Sequence, residues 1–185
     1  MTRANPLRDE FHRLLGRLVH ATSRLDFNVG IQLDALGSYC GADVADLLRP
    51  QQARLGERLK KLKELVLDVY SNAGDEARKE LIAWFERADD ARALRNDYAH
   101  GRWGVPGKLA FKPGGRAIDA EPLLVFVPLS WNFEPDRPDE STSMSMREFE
   151  AQVAIVESLL SDYERLTKMY ASLAKPRSSE PPLAR

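Results

Sequence analysis

Residues 74–103, GDEARKELIAWFERADDARALRNDYAHGRW, decide the fold. Leu81, Trp84, Phe85, Ala88, Ala91 and Ala99 recur at three- and four-residue steps, the spacing that lines one face of an α-helix. At about 100° per residue, their mean direction falls close to Arg95. The apolar stripe therefore runs into a guanidinium one turn before the helix ends. A charge on an apolar stripe needs a partner, because an unpaired buried charge costs several kcal/mol. Asn96 and His100 are four apart and flank that arginine. Gly101 follows, where a left-handed helix cap usually sits. Arginine, asparagine and histidine converge at one helix end, the one place where the sequence hints at chemistry.

Working towards the N-terminus, Asp75 is the expected N-cap of this helix after the break Asn72-Ala73-Gly74. Leu55, Leu59, Leu62, Val66 and Val69 mark another helix over roughly 52–72. Before it, Asp43 is placed to cap a short helix at 44–49 that Pro50 ends. Leu7, Phe11, Leu14, Leu18, Thr22, Leu25, Val29, Leu33 and Leu36 sustain the same spacing over 6–37, one long helix stopped by GSYCG at 37–41. Towards the C-terminus the texture changes. Six of the eleven prolines fall in 104–144, with Gly104, Gly107, Gly114 and Gly115. Residues 109–111 (LAF) and 123–127 (LLVFV) are strand candidates around a turn at Pro113-Gly114-Gly115. A structureless loop of about forty residues is improbable inside a compact domain, so a small hairpin or flap is expected here. Ser145-Met-Arg-Glu148 is a capping-box pattern that opens a last helix over about 146–174, with Phe149, Val153, Val156, Leu160, Tyr163 and Tyr170 inward. The tail, KPRSSEPPLAR at 175–185, is polar and proline-rich and reads as disordered. Four helices with one apolar stripe each bury those stripes by stacking. The expected fold is all-α: a four-helix-type bundle over 1–175 with a small β-hairpin or flap, about 104–144, inserted before the last long helix.

Composition sets the outer limits. Hydrophobic residues are 43% and charged residues 30% of 185, as in an ordinary soluble domain. A formal net charge of −1 gives no global field for nucleic acid or anionic lipid. No apolar run approaches the roughly 20 residues that span a bilayer, so no membrane partner is expected. The N-terminus lacks the apolar stretch of a signal peptide, and Cys40 alone forms no intrachain disulfide; both fit a cytoplasmic protein. His12 and His20 lie eight apart rather than four, so neither a metal site nor a cofactor is expected. There is no GxxxxGK[ST] and no GxGxxG. The basic run Arg54, Arg58, Lys60, Lys61, Lys63 is interleaved with Glu57 and Glu64 and reads as a solvated helix face. Trp103 and Trp131 bracket the inserted region and are expected to pack it on the bundle.

Arg95-Asn96-Asp97-Tyr98-Ala99-His100 resembles the motif of the HEPN superfamily, an arginine and a histidine separated by four to six residues, often with asparagine directly after the arginine. A second pair, Arg13 and His20, lacks both the asparagine and a nearby helix end. HEPN proteins are small helical bundles, and many are metal-independent endoribonucleases of toxin–antitoxin or other defence systems. The resemblance implies a catalytic role for Arg95, Asn96 and His100. Imidazole titrates near neutrality and can move the proton of an attacking 2′-hydroxyl. A guanidinium matches the charge that grows on the phosphate. Arg92, Arg102 and Tyr98 are expected to contact the RNA, with Lys108, Lys112 and Arg116 extending a local basic patch. The resemblance also implies a homodimer and a cognate antitoxin or defence partner. Two alternatives stand beside it: a non-catalytic HEPN-like module that binds a partner protein or nucleotide, and a plain oligomerisation module that assembles through the flap.

Overall fold

The computed structural model describes residues 6–49, 54–100, 102–104, 123–127 and 142–174. The fold is all-α, with a small antiparallel sheet. Helix α1 (Pro6–Cys40) is followed by the single turn α2 (Ala45–Leu48), then α3 (Leu55–Val69) and α4 (Gly74–His100). Strands β1 (Arg102–Gly104), β2 (Leu123–Val127) and β3 (Thr142–Ser145) lead into α5 (Met146–Tyr170) and a final 3-10 turn (Ala171–Leu173). The chain gathers into two compact units, Met1–His20 with Ala93–Val156, and Ala21–Arg92 with Glu157–Arg185.

The second unit is a helical bundle. Leu25, Val29 and Leu33 of α1 are buried, as are Leu59, Leu62, Leu65, Val66 and Val69 of α3, Ala77, Leu81, Trp84, Phe85, Ala88 and Ala91 of α4, and Leu159, Tyr163 and Leu166 of α5. Helices α4 and α5 run antiparallel here. The Tyr170 hydroxyl donates to Glu80 (3.0 Å), the Trp84 indole N–H to the Leu159 carbonyl (2.8 Å), and Arg87 to Asp162 (2.9 Å). From the Glu80–Tyr170 pair to the Arg87–Asp162 pair, one number rises as the other falls. Trp84 meets Phe85 edge-on at 4.9 Å and lies 4.6 Å from the Tyr163 ring, geometries that aromatic quadrupoles favour. Helix α3 is tied to α1 and α2 through Arg58, which donates to Asp26 (2.8 Å) and to the Leu47 carbonyl (2.7 Å).

Helix α1 runs three residues past the expected stop. Gly41 takes φ +68°, and the Ala42 N–H reaches back to the Gly37 carbonyl at 2.9 Å. That is a Schellman ending, for which glycine alone carries no Cβ penalty. Gly37 is required for another reason, since a Cβ there would come 2.7 Å from Val44 Cγ2. Asp43, the expected cap of α2, lies one residue before the N-cap position Val44 and accepts from the Ala45 N–H at 3.1 Å. Helix α4 begins at Gly74, one residue before the expected cap Asp75.

The first unit holds the sheet, in the order β1-β2-β3. Arg102, Trp103 and Gly104 pair with Val127, Phe126 and Val125; Leu123, Leu124, Val125 and Phe126 pair with Ser145, Met144, Ser143 and Thr142. Strand β2 lies in the centre, as its apolar run implies, and among the described residues its partners are β1 and β3, neither expected as a strand. Register puts Trp103, Leu124 and Met144 on one face. Trp103 packs on Phe11 (5.0 Å), Tyr98 (4.5 Å) and Phe149 (5.8 Å). Phe11, Leu14 and Leu18 from α1 and Phe149, Val153 and Val156 from α5 complete this core. Arg13 and Arg17 both approach Glu150 of α5, at 3.7 and 3.6 Å. The strand candidate at 109–111, the turn at 113–115, Gly101, Pro50, Trp131 and the tail from 175 lie outside the described residues. Among the described residues, no helix is long and apolar enough to cross a membrane.

Candidate functional site

Helix α4 delivers the motif at its last two turns, and the burial pattern shows how. Ala88, Ala91 and Tyr98 are buried, Arg95 and Asn96 half-buried, and Asp97, Ala99 and His100 exposed. The stripe does run through Arg95, but it ends on Tyr98. Ala99, expected on the core face, is turned to solvent. The reason lies just past the helix end. The Trp103 indole meets the Tyr98 ring edge-on at 84°, and its N–H donates to the Tyr98 carbonyl at 3.1 Å. That carbonyl is one of the last four of α4, which have no partner inside the helix. A tryptophan from the first strand thus satisfies the helix end and draws residue 98 inward.

Tyr98 is fixed on its other side as well. Its hydroxyl donates to Gln152 Oε1 at 2.8 Å, with Met144 Sδ at 3.5 Å, and its ring packs on Phe149 at 5.3 Å. Burial pushes the Tyr98 phenol up to about 12, against the pull of the Gln152 hydrogen bond. Expected at the RNA surface, Tyr98 is placed in the core, where it positions the helix end that carries the other three residues.

The Arg95 guanidinium donates through Nη1 to Asn96 Oδ1 at 3.1 Å. Among the described residues it makes no ion pair. Its partner is an amide next door in sequence, which leaves most of the guanidinium donors uncommitted among the described residues. His100 is exposed on the last residue of α4. Arg92 lies one turn earlier and already donates to Asp89 at 2.6 Å. Arg102 is placed in β1, opposite Val127. Lys108, Lys112 and Arg116 lie outside the described residues. The structure thus brings Arg95 and Asn96 into contact at the helix end that His100 terminates, and commits Tyr98 and Arg92 elsewhere.

Sequence reasoning missed Gln152 and gave Trp103 a packing role only. The one signal for Gln152 was a polar residue next to the inward Val153 on α5.

The second unit carries a groove of about 390 Å³ between α3 and α4. Gly56, Leu59, Lys60 and Lys63 line one side, and Phe85, Glu86, Asp89 and Asp90 the other. None of the motif residues lines it. Among the described residues, no three of His, Cys, Asp and Glu are grouped to hold a metal ion. No family model, no curated protein and no solved structure matches the chain.

Proposed function

We propose that the chain is a metal-independent endoribonuclease of the HEPN type, with Arg95, Asn96 and His100 as its site. One observation supports the reading above the others. Arg95 is half-buried on the core stripe, yet its described partner is Asn96 and not a carboxylate. A guanidinium held this way keeps paired donors for an incoming anion, with its orientation set by the amide. The phosphodiester of RNA is the anion that the neighbouring imidazole can also process.

The chemistry follows from residue types. The 2′-hydroxyl of the substrate attacks the adjacent phosphorus, and the bond from phosphorus to the 5′-oxygen breaks. His100 takes the hydroxyl proton or assists its transfer. Arg95 holds the non-bridging oxygens as negative charge grows on them. The products are a 2′,3′-cyclic phosphate and a 5′-hydroxyl. The protein acts as a cytoplasmic homodimer, in bacterial defence or with a cognate antitoxin, and Arg102 joins the site in gripping the RNA backbone.

The test is incubation of the purified protein with a defined RNA in excess EDTA, beside His100→Ala and Arg95→Lys, with the fragment ends read. Cyclic-phosphate ends that His100→Ala slows by about 10²–10⁴ support the reading, general acid–base catalysis being of that size. Arg95→Lys keeps the charge but not the paired donors, and a loss of about 10²–10³ is expected. Cleavage equal in all three proteins sinks the role of His100. A second reading has its own observation: the His100 imidazole is exposed and has no side-chain partner among the described residues to hold it for proton transfer. A folded protein that binds a partner protein or nucleotide but cleaves nothing would establish that non-catalytic module.

A further inference from the structure

Helix α1 turns an unusual face outward along its second half. Phe27 is 69% exposed and Ile31, one turn on, 48%. At about 100° per residue, Ser23, Arg24, Phe27, Ile31, Asp34 and Ser38 fall within roughly 100° of arc, and all six are exposed. Gly30 sits at the edge of this stripe, where a Cβ would meet nothing within 4 Å. The helix backbone beside the exposed phenyl ring is therefore uncovered. Among the described residues, neither the Arg24 guanidinium nor the Asp34 carboxylate has a side-chain partner.

The stripe is complementary to its own reverse. A two-fold axis crossing the helix at the level of Val29 sets Phe27 against Ile31 and Arg24 against Asp34. We propose that this face is the interface between two copies of the chain, with the two α1 helices crossing antiparallel at Val29. Each Phe27 enters the hole formed by Phe27, Gly30, Ile31 and Asp34 of the second copy, the i, i+3, i+4, i+7 set that receives a side-chain knob. The missing Cβ of Gly30 makes room for it. Two Arg24–Asp34 pairs close the ends of the contact. A parallel arrangement sets Arg24 against Arg24 and Asp34 against Asp34, so the charges select the closed two-fold dimer. A partner of different sequence has no reason to match this order of charge, apolar pair and charge. The interface gives a surface to the homodimer of the ribonuclease reading but does not rest on its chemistry, since the face carries none of Arg95, Asn96 and His100.

Sedimentation equilibrium of the full chain tests it. The wild type is expected at twice 20.9 kDa when loaded at about 50 µM. Phe27→Asp is expected as a single chain at the same concentration. Arg24→Asp and Asp34→Arg each set like charges together across the interface and should weaken the dimer at least about tenfold. Arg24→Asp with Asp34→Arg restores the pairs with reversed sign and should return within about threefold of the wild type. All three positions are exposed, and circular dichroism confirms that each variant folds. A wild type of single-chain mass, a dimer that Phe27→Asp leaves unmoved, or a double variant no tighter than the singles overturns the proposal. RNA cleavage measured on the same samples keeps the two readings apart. A monomer that still cleaves removes the interface alone; a dimer that does not cleave removes the nuclease alone.

Discussion

Each unit has one deeply buried tyrosine, and the two are held in different ways. Tyr98 and Tyr163 are both 6% exposed. The Tyr98 hydroxyl donates to Gln152 and its backbone carbonyl receives the Trp103 indole. The Tyr163 hydroxyl has no partner among the described residues, and its ring is placed by Trp84 at 4.6 Å. In the unit that carries Arg95, Asn96 and His100, direction is specified by hydrogen bonds at both ends of one residue. In the other, position is specified by volume, and a polar atom is left over. An unsatisfied buried hydroxyl is a standing cost, whereas a bonded one becomes a cost only when its partner is removed. The two cores should therefore respond to the same substitution with opposite sign.

The largest effect lies in the volume-built core. Trp84→Ala removes the biggest fully buried side chain and its bond to the Leu159 carbonyl, and should cost about 3–5 kcal/mol in urea unfolding. Tyr98→Phe leaves Gln152 Oε1 without its donor and should cost about 1–2 kcal/mol. The same variant tests the pH response. Burial raises Tyr98 from 10.0 to about 12, so its neutral form favours the folded state. That contribution is fully present below the ordinary phenol value and is lost as the pH rises from 10 towards 12. Tyr163 is raised by burial too, with Tyr70 adding to it. The fall in Tm between about pH 10 and 12 should be shallower in Tyr98→Phe, and shallower again with Tyr163→Phe added. Ser145→Ala removes the hydroxyl that accepts the Glu148 N–H at 3.2 Å and should cost about 1 kcal/mol. Tyr163→Phe breaks the comparison if it destabilises. With no hydrogen bond to lose, it should be neutral or stabilising by up to about 1 kcal/mol. The smallest expected effect is His100→Ala, within about 0.5 kcal/mol of the wild type at an exposed helix end, which separates its role in cleavage from any role in folding.

The same contrast explains what the sequence could disclose. The α1 stripe from Phe11 to Leu33 is buried as its spacing predicts, because a helix face of that length averages over local exceptions. Ser145 and Glu148 form both bonds of the capping box, Ser145 N–H to Glu148 at 2.6 Å and Glu148 N–H to Ser145. The Ser145 backbone N–H, and after it the Ser145 side chain, hold the Glu148 carboxyl below its usual range. Such a motif is legible because it is complete within four residues. Strands β1 and β3 were not legible, for three or four residues carry no measurable period and their partner is a distant segment. On α5, Phe149, Val153, Val156 and Tyr163 are buried as expected, Leu159 is buried in place of Leu160, Leu166 joins them, and Tyr170 is half-buried. At the site, Arg95 on the stripe and the Asn96–His100 flank could be read from spacing. The inward turn of Tyr98 in place of Ala99 could not, because it is set by Trp103, five residues on and past the helix end, where helical spacing no longer applies.

One junction has a further consequence. Strand β3 ends at Ser145 and α5 begins at Met146, with no residue between them. A strand turns its side chains by about 180° per residue and a helix by about 100°, so the two periodicities are locked in phase at that bond. Inserting one residue there would either flip β3 against Leu123 and Leu124 or rotate α5 by about 100°, carrying Phe149 and Gln152 away from Tyr98. Length change at this point is forbidden in a way that substitution is not. In a drifting lineage, the spacing from Met144 through Phe149 to Gln152 should hold constant while the residues between them vary.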